Sequence, residues 1–110
     1  MYRVRQPGRG DPRPARVFVV VSRAEFLNSV YSTAVCVPIY STHEGLATQV
    51  PVDESHGLKR PSAARCDEVT SLPRAWLTDY VGSLRPGSLR AIDRALVVAL
   101  DLGDAFDVDE

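Results

Sequence analysis

The sequence predicts a mainly β domain closed by one C-terminal α-helix, and three observations carry that expectation. Short runs of alternating or β-branched residues recur over the first eighty positions, Gly, Pro and Asp/Glu-rich turns separate them, and the one long stretch with helical spacing comes last. Many short strands followed by a helix favour a small curled barrel with the helix packed on it. At 110 residues, 45% hydrophobic and 25% charged, the chain has the length of one domain and the composition of a globular one. The expected division is a single domain over 1–103 and an acidic tail over 104–110.

Tyr2 to Gln6 alternates Tyr and Val with Arg, the period of a half-buried strand, and Pro7 stops it. Residues 7–15 are Gly, Pro and Arg with one Asp, which reads as a positively charged loop. Val17 to Val21 is a continuous β-branched and aromatic run, expected as a strand buried on both faces. A short helical turn is expected around 23–28. Ser32 to Tyr40, Thr48 to Val52 and Ala63 to Thr70 have strand composition, and a last strand near Tyr80 to Ser83 brings the number to roughly six. The helix opens at Pro86, where a fixed φ suits the first turn. Leu89, Ile92, Leu96 and Leu100 fall on one face expected to pack on the sheet, and Gly103 is expected to end the helix.

The formal net charge of -1 conceals two unlike ends. Arg3, Arg5, Arg9, Arg13 and Arg16 face only Asp11 at the front, whereas Asp101, Asp104, Asp107, Asp109 and Glu110 crowd the end without a base. Lys59 is the only lysine, so the positive charge is almost all guanidinium, the group that pairs bidentately with phosphate or carboxylate, although a GC-rich coding sequence produces the same bias. No stretch is long and apolar enough for a membrane span or a signal core, which predicts a cytoplasmic protein without a membrane partner. Cys36 and Cys66 lie in apolar, strand-like runs without metal-ligand spacing, and read as two reduced, buried thiols.

Three segments and the closing helix, in order, resemble a known family. Arg16-Val17-Phe18-Val19-Val20-Val21-Ser22, Ala34-Val35-Cys36-Val37-Pro38-Ile39-Tyr40-Ser41-Thr42 and Arg65-Cys66-Asp67-Glu68-Val69-Thr70-Ser71-Leu72 are similar to the successive strand motifs of the MazF/PemK toxin endoribonucleases. Leu84-Arg85-Pro86 leading into Leu89-Arg90-Ala91-Ile92-Asp93-Arg94-Ala95-Leu96 resembles that family's last helix. The resemblance spans about residues 2 to 102. It implies a small SH3-like barrel of the CcdB/PemK type, a homodimer, and metal-independent, sequence-specific cleavage of single-stranded RNA, mRNA above all, with no cofactor. It also implies a MazE-like antitoxin whose extended acidic segment occupies the RNA groove. The family's opening Arg-Gly-Asp is expected before Met1, and Arg9-Gly10-Asp11 is read as a chance tripeptide.

Metal-free cleavage uses the 2′-hydroxyl of the substrate as nucleophile, so the protein must stabilise a phosphorane and move protons. The resemblance makes Arg16 the catalytic arginine, with Val17 standing where the family has Pro. At the family's catalytic Thr stands Tyr40, followed by Ser41 and Thr42; Tyr40 and Ser41 are taken jointly as the second catalytic position. His43 and His56 are the only imidazoles, the side chains that titrate near neutrality. His43 follows the hydroxyl cluster and is a candidate RNA contact or proton carrier, with a plain exposed histidine as the alternative; His56 reads as an exposed turn residue. Glu68, where the family often has Gln, accepts from base amino groups if it binds RNA. Arg9 and Arg13 on the loop and Thr42 complete the RNA-binding candidates. Trp76, in a short turn, is expected as a core or dimer-interface anchor in preference to a base-stacking ring. Two other readings stay open: a CcdB-like gyrase-binding toxin, although the Trp-Gly-Ile end of that group is missing, and a barrel that binds RNA or antitoxin without catalysis. The acidic tail is also read as a candidate internal competitor for the arginine-rich groove.

Overall fold

A computed structural model describes residues 1–5, 15–22 and 32–102. Residues 7–14 of the expected loop, the helical turn at 23–28, Arg9, Arg13, Gly103 and the tail 104–110 lie outside the described residues, and the loop's last residue, Ala15, opens a strand instead. Among the described residues seven strands, β1 (Tyr2–Arg5), β2 (Ala15–Val20), β3 (Thr33–Tyr40), β4 (Gln49–Val52), β5 (Ser62–Arg65), β6 (Thr70–Pro73) and β7 (Asp79–Tyr80), precede a helix, α1 (Pro86–Ala99). Every pairing is antiparallel, in the order β4-β5-β3-β2-β1-β7 with β6 also on β3. The described pairings curl without closing the ring, so the barrel is an open one.

The stretch expected as one strand from Ala63 to Thr70 is two strands joined by a 3-10 turn at Cys66–Glu68. Both pair with β3, β6 against its first half from Thr33 to Cys36 and β5 against Ile39 and Tyr40. The register skips Val37 and Pro38, where a proline has no N–H to give a ladder. Cys66 therefore opens the turn instead of sitting in a strand. In β2, Phe18 and Val19 are buried while Val17 and Val20 are only partly so, short of the two-sided burial expected. The last strand is also shorter than expected and ends at Tyr80.

Val19, Val37, Ile39, Val50, Val52 and Ala64 form the main core with Ile92 and Ala95 of the helix; Val4, Phe18, Ala34, Cys36 and Leu72 form a second cluster. Of the expected stripe, Ile92 is buried and Leu96 packs against the core beside Ala95, whereas Leu89 and Leu100 are 42% and 51% exposed. Ala91 and Ala99 pack against the core beside Ala95, so small side chains line the packed face of the helix. The helix stops before Gly103. Asp101 takes a left-handed φ of 54°, with N–H bonds from Asp101 to the Val98 carbonyl (3.2 Å) and from Leu102 to the Val97 carbonyl (2.9 Å). An aspartate thus fills the place usually left to glycine in this terminus. Cys36 and Cys66 are buried free thiols, as expected, and burial raises each to about 11.

Candidate active site

β2 and β3 deliver the site because their pairing, Phe18 opposite Pro38, brings the start of one strand beside the end of the other. Arg16 is not a solvated strand-end charge: it is 6% exposed, and its Nη1 donates to the Ile39 carbonyl at 2.9 Å. Its guanidinium carbon lies 3.7 Å from the centre of the Tyr40 ring. The Arg65 guanidinium carbon lies 3.9 Å from the same centre. Two groups so near one centroid must occupy opposite faces, because an in-plane approach is blocked by the ring edge and one face has no room for both. Tyr40 is therefore clamped between two cations.

Each such contact contributes about 0.5–2 kcal/mol, while two charges across one ring repel by roughly 2 kcal/mol at an effective dielectric of 20. Carboxylates on the outer side offset that repulsion. Arg65 donates to Glu68 Oε2 at 3.3 Å, to Glu44 Oε1 at 3.4 Å and to Thr42 Oγ1 at 3.0 Å. The Tyr40 hydroxyl donates to Glu68 Oε1 at 2.5 Å. Arg65 Nε is buried without a hydrogen-bond partner among the described residues. Glu68 and Thr42 thus stand on the outer face of the clamp, while His43 is exposed beyond it.

The inner face opens on a cleft of about 230 Å³ whose lining includes Arg3, Arg16, Tyr40, Ser41, Lys59 and Arg60. No carboxylate lines it among the described residues. Ser41 adds a hydroxyl at the strand end. Among the described residues no group of three or more His, Cys, Asp or Glu side chains is arranged to hold a metal ion.

His56, three residues before Lys59, is 3% exposed instead of lying free in a turn. His56 Nδ1 accepts from the Asp53 N–H at 3.2 Å, which directs Nε2 toward Ser88 Oγ at 3.3 Å, in the first turn of α1. The Asp53 carboxylate accepts from the Ser55 hydroxyl and N–H, and these bonds hold its pKa below the ordinary value. A Cβ on Gly82 would overlap the His56 carbonyl, and one on Gly57 would overlap the Val81 carbonyl, so the two segments meet backbone to backbone. Lys59 and Arg60 follow this junction in the chain.

Sequence reasoning missed Arg65, Lys59, Arg60 and Arg3 as site residues. Arg65 carried the same signal as Arg16, a single arginine at the end of an apolar strand, and Lys59-Arg60 is a basic pair just after a tight turn. Trp76 is 45% exposed and belongs to neither core cluster, so it is not a core anchor.

Residues 2–100 match the family model of the PemK-like, MazF-like toxin of type II toxin-antitoxin systems. The chain belongs to this family. It is 36% identical over 95 residues to Endoribonuclease MazF3 of Mycobacterium tuberculosis, covering 86% of this chain and 85% of that protein. The solved Mycobacterium tuberculosis toxin MazF-mt6 superimposes with a TM-score of 0.73 at 32% identity, over 79% of this chain and 87% of that one. A mycobacterial endoribonuclease solved in complex with its cognate antitoxin gives a TM-score of 0.77 at 26% identity, over 92% of this chain and 90% of that one.

Proposed function

We propose that this toxin-family endoribonuclease cleaves single-stranded RNA, mRNA included, at short sequences and without a metal ion. The 2′-hydroxyl oxygen attacks the adjacent phosphorus as the bond from phosphorus to O5′ breaks. The products are a 2′,3′-cyclic phosphate and a free 5′-hydroxyl. One observation carries the reading: a cleft lined by guanidinium, ammonium and hydroxyl groups, free of carboxylates among the described residues, with a buried arginine at its base.

Arg16 donates to the phosphorane oxygens as their charge grows. Because its guanidinium is already held by the Ile39 carbonyl and the Tyr40 ring, little reorganisation is needed during the reaction. Ser41 donates from the cleft wall, and Tyr40 acts by aiming Arg16. His43, two residues along from Ser41, contacts the RNA or carries a proton. Thr42 and Glu68 meet base edges, where a carboxylate accepts from amino groups, while Arg9 and Arg13 add phosphate contacts. The same cations suit an extended acidic segment of a cognate antitoxin, which would compete with RNA. A cytoplasmic homodimer is the assembly that fits this reading.

The test is a set of fluorogenic chimeric oligonucleotides of varied sequence, with EDTA present. Wild-type protein should cleave at least one of them, and Arg16→Ala should lower the rate about 10²–10³-fold. If both proteins are equally inert while an acidic antitoxin peptide still binds, the catalytic reading fails and a non-catalytic binding barrel remains.

A further inference from the structure

Arg3 lines the cleft and also a second groove of about 230 Å³ formed with Val4, Arg5, Trp76, Thr78 and Asp79. The β1–β7 pairing builds this groove, with Arg3 opposite Asp79 at the strand pair and Trp76 in the 3-10 turn just before β7. Trp76 leaves 45% of its surface in water, a large cost for an indole that serves only packing. Arg5 is exposed. The one acid present, Asp79, lies 3.7 Å from Arg3 in an exposed pair that solvent and salt weaken. An accessible indole flanked by two guanidiniums is the combination that binds single strands, with the ring stacking a base and the cations tracking phosphates.

We propose that this groove is a second nucleotide subsite, in which Trp76 stacks one base of the RNA strand whose scissile phosphate lies at Arg16. Arg3 and Arg5 hold phosphates between the two positions. The inference rests on the cleft being the RNA site, and continuity through Arg3 favours the same strand over a separate protein partner. Every base has a π-face, so the subsite lengthens the footprint and tightens binding without choosing the sequence.

Trp76 is the only tryptophan in the chain, so intrinsic fluorescence reports on this groove alone. The probe is a 2′-O-methylated RNA 12-mer of mixed sequence, which lacks the nucleophile and stays intact. Its binding should quench Trp76. Trp76→Ala should weaken binding about tenfold and Trp76→Phe much less, and Arg5→Ala should lower the slope of log K against log salt by about 0.7. Binding without a change in fluorescence, wild-type affinity in Trp76→Ala, or a change of oligomeric state in Trp76→Ala by light scattering would overturn the proposal, the last by making the groove an interface between copies. Quenching by a protein that cleaves no RNA would support the subsite while removing the nuclease reading.

Discussion

In the proposed site Tyr40 stands where the resemblance places the family's threonine, and its surroundings use the ring. Its hydroxyl is engaged by Glu68, outside the cleft, whereas its two faces hold Arg16 and Arg65. Tyr40→Phe keeps the clamp and should lower kcat only a few-fold. Tyr40→Ala removes the ring support from both guanidiniums, with Arg16 still held at the Ile39 carbonyl, and should lower kcat about 10²-fold, the scale of a catalytic group misplaced by roughly an ångström. Arg65→Ala should fall between them, acting on kcat more than KM because it positions Arg16 through the ring. Single-turnover rates on a cleavable oligonucleotide, with circular dichroism to verify folding, check the series. A Phe variant as impaired as the Ala variant would return the role to the hydroxyl.

At the scale of elements, β3 organises the site, since β2, β5 and β6 all pair with it and its last residue is Tyr40. The helix covers the sheet and also supplies Ser88 to the junction at His56. Its terminus is not optimal: Asp101 bears a left-handed backbone and a negative charge at the negative end of the helix dipole. Asp101→Gly removes both penalties and should stabilise the fold by about 1 kcal/mol, read as a rise of a few degrees in Tm. Unchanged or lower stability would mean that the aspartate makes a compensating contact.

For the whole molecule, the two buried thiols set a limit at high pH. Each has an ordinary pKa of 9.0 and is raised by burial to about 11 in the folded chain. The unfolded chain therefore loses these protons first. The contribution to stability is complete below about pH 9 and declines as pH rises toward about 11. Thermal unfolding followed between pH 8 and 10.5 should show this decline, and a Cys36→Ala/Cys66→Ala variant should show a shallower one. Iodoacetamide at pH 8 should label the native protein far more slowly than the unfolded chain. Equal labelling rates would contradict burial.

Much of the fold was legible because periodicity reports local geometry: six runs pointed to strands, and Pro86 marked the start of the helix. The same code does not reveal where a strand bends. The run from Ala63 to Thr70 reads as one strand although Asp67 and Glu68, poor strand formers, interrupt it; its break at Cys66–Glu68 falls on them and lets each piece meet a different half of β3. Helical spacing placed Leu89 and Leu100 inward with Ile92 and Leu96, whereas the packed face centres on Ile92 and Ala95 with Ala91, Leu96 and Ala99 against the core, and leaves Leu89 and Leu100 exposed. Arg16 was found through family resemblance and Arg65 was overlooked, although their guanidinium carbons lie 3.7 and 3.9 Å from the centre of the Tyr40 ring. Residue types, strand periods and the buried cysteines were determined along the chain, since each depends on neighbours in sequence. The tertiary structure alone decided that Arg65 and Tyr40, 25 positions apart by their residue numbers, share one stack with Arg16. A ring clamped from both faces needs three strand ends at one place, and only packing brings them there.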